Sequence, residues 1–169
     1  MAIAQEVERL DTGDTEGCKY RGYLREVISG KENGTTPYIL KVEESGALCV
    51  HGAAGGAQWE LPPAVAGVWY EFQASVSVTS SDTYVIATSL ASTGDFIVGV
   101  IVGGNLTIGS SGRAFTANGT THLTITQNGG TTGGLIGDNF TLTAISSTQW
   151  ALTQAVSVGS GTNANPFTT

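Results

Sequence analysis

Ionisable side chains crowd into one end of this chain. Of its 21 Asp, Glu, Lys and Arg residues, 17 lie within the first 71 positions, and only Asp82, Asp95, Arg113 and Asp138 follow in the remaining 98. Charged groups normally hold loops and strand edges in water. A long stretch almost without them must cover its surface with hydroxyls, amides and small apolar groups. The sequence supplies these, since Gly, Ser and Thr fill 61 of the 169 positions. By itself such a composition would suit a disordered, low-complexity chain. Here 40% of the residues are hydrophobic, and the aromatic and β-branched ones recur at orderly spacing. The expectation is an all-β fold, a compact β-barrel or β-sandwich of short antiparallel strands joined by many turns, with an extended N-terminal arm.

Residues 1–34 read as that arm, 35–158 as the β domain and 159–169 as a C-terminal tail that is frayed or held by a partner. Within the domain, Phe72, Ala74, Val76 and Val78 share one face of an alternating strand, with Gln73, Ser75, Ser77 and Thr79 on the other. The run Phe96 to Val102 is almost continuously apolar, as expected for a strand buried on both faces. Gly103-Gly104-Asn105 then reads as a turn, and Asn118-Gly119 as a type I′ hairpin turn. Cys49 lies in the apolar run Ala-Leu-Cys-Val and reads as a small core residue, not as half of a disulfide with Cys18.

Several function classes fit this chain poorly. The net charge of −7 and pI near 4.6 count against a nucleic-acid partner and against an anionic membrane surface. No apolar run is long enough for a spanning helix. The start has neither the basic nor the apolar region of a signal peptide, so synthesis in a host cytoplasm is expected. His51 and His122 are the only histidines, and no G-x-S-x-G elbow is present, so a serine hydrolase lacks its base and its nucleophile turn. Glu43-Glu44 and Glu60/Glu71 read as solvated turn and strand residues, not as glycosidase carboxylates. Cys49 and His51 would give two metal ligands without a second cluster to complete the site. The expectation is no enzyme activity, no cofactor and no metal.

Residues that hold partners are better represented. The arm interleaves Arg9, Lys19, Arg21, Arg25 and Lys31 with seven acidic residues, and Tyr20 and Tyr23 offer rigid amphipathic anchors. Tyr20, Arg21, Tyr23 and Arg25 are therefore the candidate docking residues of the arm. Tryptophans on strands usually anchor the core. Of the three here, Trp59, beside the break Gly52 to Gly56, is the best placed to be exposed and to stack on a sugar ring or fill a subunit interface.

The segment Leu61-Pro62-Pro63-Ala64-Val65-Ala66-Gly67-Val68-Trp69-Tyr70-Glu71-Phe72 resembles head decoration, or cement, proteins of tailed bacteriophages. Two later stretches are similar: Tyr84 to Thr88 followed by Ile97 to Ile101, and Leu123 to Thr126 followed by Ile136-Gly137-Asp138-Asn139-Phe140-Thr141-Leu142 and then Thr148 to Leu152. The likeness spans about residues 58–156. It implies a β-barrel-like late structural protein that sits as a homotrimer on the capsid exterior of the virion and bridges subunits of the major capsid protein. On that reading Trp69 or Phe96 would lie at or near the trimer contacts. The competing expectation is a trimeric fibre-tip or adhesin-like module that binds host-surface glycans.

Overall fold

The computed structural model describes residues 6–7, 22–23, 25–30, 36–79, 82–89, 94–106 and 111–169. In chain order its strands are β1 (Glu6–Val7), β2 (Gly22–Tyr23), β3 (Val27–Ser29), β4 (Tyr38–Ile39), β5 (Leu48–His51), β6 (Ala57–Glu60), β7 (Trp69–Ala74), β8 (Tyr84–Ala87), β9 (Phe96–Asn105), β10 (Arg113–Asn118), β11 (Thr124–Gln127), β12 (Asn139–Ala144), β13 (Gln149–Gly159) and β14 (Phe167–Thr168). One turn of 3₁₀ helix, Val42–Glu44, separates β4 from β5. A seven-stranded sheet in the order β10-β9-β13-β12-β7-β5-β3 packs on a five-stranded sheet in the order β14-β11-β8-β6-β4. The strands β1 and β2 form an antiparallel pair of their own. The architecture is all-β, as the composition requires, and it is a sandwich; no closed barrel forms among the described residues.

The sheets are mixed, which corrects the expectation of antiparallel strands throughout. From β3 to β8 the chain changes sheet at every step, arching over the core instead of folding back as hairpins. Strands that are next but one in sequence therefore lie side by side and run parallel: β3 with β5, β5 with β7, β4 with β6, β6 with β8. A parallel pair ordinarily needs a crossover. Here the crossover is a strand of the opposite sheet, reached through the Gly-rich segment 52–56 or the Pro-containing segment 61–68. The Asn118-Gly119 turn is corrected for the same reason. Asn118 Oδ1 accepts the N–H groups of Thr120 and Thr121, both at 3.0 Å, but the turn carries the chain from one sheet to the other and does not close a hairpin. Gly103-Gly104-Asn105 is likewise not a turn; it completes the ten residues of β9.

Between the sheets lies a continuous core that includes Leu40, Cys49, Trp59, Tyr70, Phe72, Ile86, Ile97, Ile125, Phe140, Leu142 and Trp150. Its aromatic rings touch in series. Trp59 meets Tyr38 and Phe72 with centroids 5.6 and 5.9 Å apart, Phe72 stacks on Phe140 at 5.6 Å, and Tyr70 lies 5.9 Å from Trp150. Trp59 is completely buried, so its expected exposure is corrected: alternation along β6 turns it inward with Ala57, while Gln58 faces out. Side chains of this size contribute about 2–3 kcal/mol each on full burial.

Two segments assigned to termini take part in the sandwich. Val27–Ser29 lies within the expected arm of residues 1–34, yet it pairs in register with Leu48–Val50 as the edge strand of the larger sheet. The tail was expected to be frayed or held by a partner. It is instead a strap that crosses from β13 to the opposite sheet. Gly161 N–H donates to Gly130 O at 3.1 Å, Ala164 N–H to Thr131 O at 2.8 Å, and buried Asn163 donates from Nδ2 to Gly103 O at 3.1 Å. Phe167 then enters the core against His122, and β14 pairs with β11. Its sequence, with three glycines or serines and a proline, carries one large apolar residue, and that residue fixes the strap. Phe167→Ala should therefore lower stability by about 3 kcal/mol, the usual cost of a buried aromatic. A urea titration in which the midpoint of the variant matches the parent would show the strap to be dispensable.

Candidate functional site

The most extensive feature that the fold leaves open is the outer face of the seven-stranded sheet. Because paired residues share a face, the registers place one complete row across all seven strands: Ala114, Val102, Val156, Asn139, Gln73, Val50 and Ser29. A second row, interrupted at the β13 bulge, has Thr116 and Val100 on one side and Thr153, Thr141, Glu71, Leu48 and Val27 on the other, and a third runs through Asn118, Val98, Ala151, Thr143 and Trp69. Glu71 is the one ionisable side chain in these rows. Val102, with 54% of its surface exposed, sits between exposed Val156 and exposed Ala114. The expected burial of Phe96 to Val102 on both faces is thus corrected: Ile97 and Ile101 point inward, whereas Val100 and Val102 point to solvent.

A bulge in β13 makes this face possible. Leu152 pairs with Gly99 and Val156 with Val102, so β13 spends four residue steps where β9 spends three; the same extra residue appears against β12. Gln154 absorbs it with φ of 51°, in the left-handed region that non-glycine residues seldom occupy. Before the bulge Trp150 and Leu152 face inward. After it Ala155 and Ser157 do, and Val156 is turned out.

Ser157 faces inward to meet Asp138, the only acidic residue after Asp95. Asp138 Oδ2 accepts from Gly134 N–H at 2.7 Å, Gln127 Nε2 at 3.1 Å and the Ser157 hydroxyl at 3.1 Å, and Oδ1 accepts from Val158 N–H at 2.8 Å. Gly133 lies against this cluster with φ of 89°, and a β-carbon there would collide with the Ser157 hydroxyl. Burial pushes the Asp138 carboxyl above its ordinary value, against the downward pull of the Gly134 and Val158 N–H groups and the Ser157 hydroxyl. The cavity beside Ser157 and Asn163, under the strap, measures about 10 Å³, space for one water and not for a substrate.

The other buried titratable groups are also structural. His51 is fully buried, stacks on the Tyr84 ring at 4.6 Å, and has, among the described residues, a hydrogen-bond partner at neither ring nitrogen. Burial pushes its pKa down and pushes the Cys49 thiol and the Tyr84 hydroxyl up. Asp95 Oδ2 accepts the Ala64 N–H at 2.8 Å and fixes the Pro-containing arch. Among the described residues no three His, Cys, Asp or Glu side chains gather as a metal site would need.

Of the candidate docking residues, Tyr20 and Arg21 lie outside the described residues, and Tyr23 is placed only by its backbone pairing with Glu6. Trp59 is in the core. Arg25 is described fully, and its contacts are to its own chain. Its Nε–H donates to Gly46 O at 2.7 Å and an Nη to Ala47 O at 3.2 Å, while the other Nη pairs with the Glu71 carboxylate. The guanidinium carbon lies 5.1 Å from the centre of the Trp69 ring. Arg25 is thus a clip that holds the chain against β5 and β7 just before β3 begins. Trp69, 38% exposed, is the tryptophan that reaches the surface in place of Trp59. Compared with known proteins, the chain matches no protein family, no curated protein and no solved structure.

Two outcomes follow from these contacts. Arg25→Ala should cost about 1–2 kcal/mol, since it removes an exposed ion pair and a cation–π contact. It should also make tryptophan fluorescence easier to quench with acrylamide, because Trp69 is the exposed indole. Unchanged quenching would mean the guanidinium does not cover the ring. For His51, the folded-state pKa lies below the unfolded value, so an unfolded chain takes up the proton first. Its contribution to stability is complete above the ordinary pKa of about 6.5 and falls away as the pH drops below it. His51→Phe keeps a ring against Tyr84 and removes the proton uptake. Urea midpoints at pH 7.5 and 5.5 should show the parent losing more than the variant, and equal losses would refute the assignment.

Proposed function

We propose that this protein is a structural virion component that binds the exterior of a phage capsid and stabilises it by bridging subunits of the major capsid protein. The observation that carries this reading is the use made of ionisable groups in the body. Asp95, Asp138 and His51 are consumed inside the sandwich, while the surface of the larger sheet offers hydroxyls, amides and small apolar side chains over a broad area. That chemistry suits many weak contacts spread over a protein surface better than turnover of a bound molecule. The reading agrees with the resemblance of residues 58–156 to head decoration proteins. The body, clipped at Arg25, presents the preceding residues for attachment. Their interleaved charges and Tyr20 and Tyr23 supply contacts to the capsid.

The test is direct. Mass spectrometry of purified virions should find the protein at a fixed ratio to the major capsid protein. A chain beginning at residue 25 should keep the parent's circular dichroism and bind undecorated heads at least ten-fold more weakly. Absence from virions would reject the proposal, and undiminished binding would reject the role of residues 1–24.

Exposed Trp69, flanked by Arg25 and Glu71, favours one second reading, a module that stacks host-surface glycans on the indole. Titration with glycans would quench or shift Trp69 fluorescence in that case and leave it unchanged in the first.

A further inference from the structure

We infer that the outer face of the seven-stranded sheet is a self-association surface, on which a second copy of this chain packs face to face about a two-fold axis. Three observations choose the occupant. The first is charge. Each copy carries a net −7, so two copies repel wherever their acidic residues meet. In the three rows of this face the one ionisable group is Glu71, paired with Arg25 and three strands away from Val102. A second copy presents the same uncharged surface, so like meets like without an unpaired charge being buried.

The second is area. With strands about 4.8 Å apart and same-face residues about 7 Å apart along each strand, the face measures about 30 by 20 Å, or roughly 600 Å² a copy. Two such faces reach about 1,200 Å², the lower end of the range for stable interfaces. The third is the distribution of apolar groups. Val100, Val102 and Val156 are exposed side by side on β9 and β13, near the centre of the β10-β9-β13-β12 half, flanked by the uncharged polar groups of Thr116 and Asn118 on β10 and of Asn139, Thr141 and Thr143 on β12. An apolar centre with a polar rim is the anatomy of a protein interface. The Gln154 bulge, which turns Val156 out of the core, places the third valine in that centre.

A patch that meets its own copy about a two-fold axis does so isologously and closes with two subunits. Two sheets stacked this way sit about 10 Å apart with their strands crossing at about 30°. The trimer implied by the resemblance would require two different patches on each copy. A two-fold pair also presents two copies of the segment that precedes Arg25, so its attachment to a capsid would be bivalent. That consequence rests on the proposed function; the association itself does not.

Sedimentation equilibrium on the full chain tests the association without any capsid. The parent should be a dimer at 50 µM. Val102→Glu should weaken association at least 100-fold and give a monomer with the parent's circular dichroism. Val102→Lys should do the same, and mixing the two should restore dimers, since opposite charges then face each other across the axis. Ile39→Glu, which puts a charge at an exposed apolar position on the other sheet, should leave the dimer intact. Should Val102→Glu fail to fold, Thr116→Glu on the same face gives the same reading. A monomeric or trimeric parent, or a dimer that survives charges on this face, would overturn the inference. A dimer that forms as described while virions lack the protein would uphold it and reject only the capsid role.

Discussion

One extra residue in an interior strand of the larger sheet sets the two sides of this protein. Between Leu152 and Val156, β13 carries a residue that neither β9 nor β12 matches, and Gln154 takes a left-handed conformation to accommodate it. Side chains alternate along a strand, so the insertion reverses which residues face the core from that point on. Ser157 is brought in to donate to Asp138, and Val158 N–H is aligned with the other carboxylate oxygen. Val156 is turned out. Straightening the strand would send Val156 into the polar cluster and leave Asp138 with fewer donors in a region that burial already makes hostile to its charge. The left-handed residue is tolerated because strands on both sides and the carboxylate behind hold the backbone in place.

The same economy runs through the body. Few charges are present, and those inside are committed to architecture: Asp138 ties the 127–134 region to β13, Asp95 fixes the arch at Ala64, and Glu44 receives the Tyr38 hydroxyl and the Lys41 N–H. Arg25, placed by the sequence among docking residues, is also turned to its own chain. Apart from the Arg25–Glu71 pair, what remains on the outer face of the larger sheet is surface whose contacts depend on shape and on the release of water.

The all-β class was legible because β-branched and aromatic residues recur between glycines, and alternation in Phe72/Ala74 and Phe140/Leu142 marks the buried face, although β7 ends at Ala74 and Val76, expected on that same face, is exposed. Cys49 as a core residue was legible for the same reason. The pairing of strands was not. Local turn signals such as Asn118-Gly119 specify a sharp reversal, but whether the next strand returns to the same sheet or crosses the core depends on distant residues. Trp59 and Trp69 show a similar limit. Each sits on a strand near glycines, and only the partners across the core decide that Trp59 is enclosed by Tyr38 and Phe72 while Trp69 is left outside with Arg25. The exposed valines of β9 had a signal in Val98, Val100 and Val102 sharing one face. The intervening isoleucines, which belong to the core, obscured it. The bulge at Gln154 has no sequence mark.

The arching connectivity also has a consequence in time. In the larger sheet β13, residues 149–159, lies between β9 and β12, and no pairing joins the β10-β9 hairpin to the other four strands until it is in place. A chain emerging from the ribosome therefore holds β7 and the β10-β9 hairpin unjoined from the making of β10, residues 113–118, until β13 follows at residues 149–159. Their apolar sides are uncovered, and the closing strand arrives late. Folding dominated by such distant pairings is slow compared with that of proteins built from local contacts. Half-made chains crowded along one message would be exposed to misassembly through those same open edges. The scarcity of charge that suits the finished surface leaves the growing chain with little to keep its neighbours apart, apart from the acidic residues near its beginning, which are synthesised first.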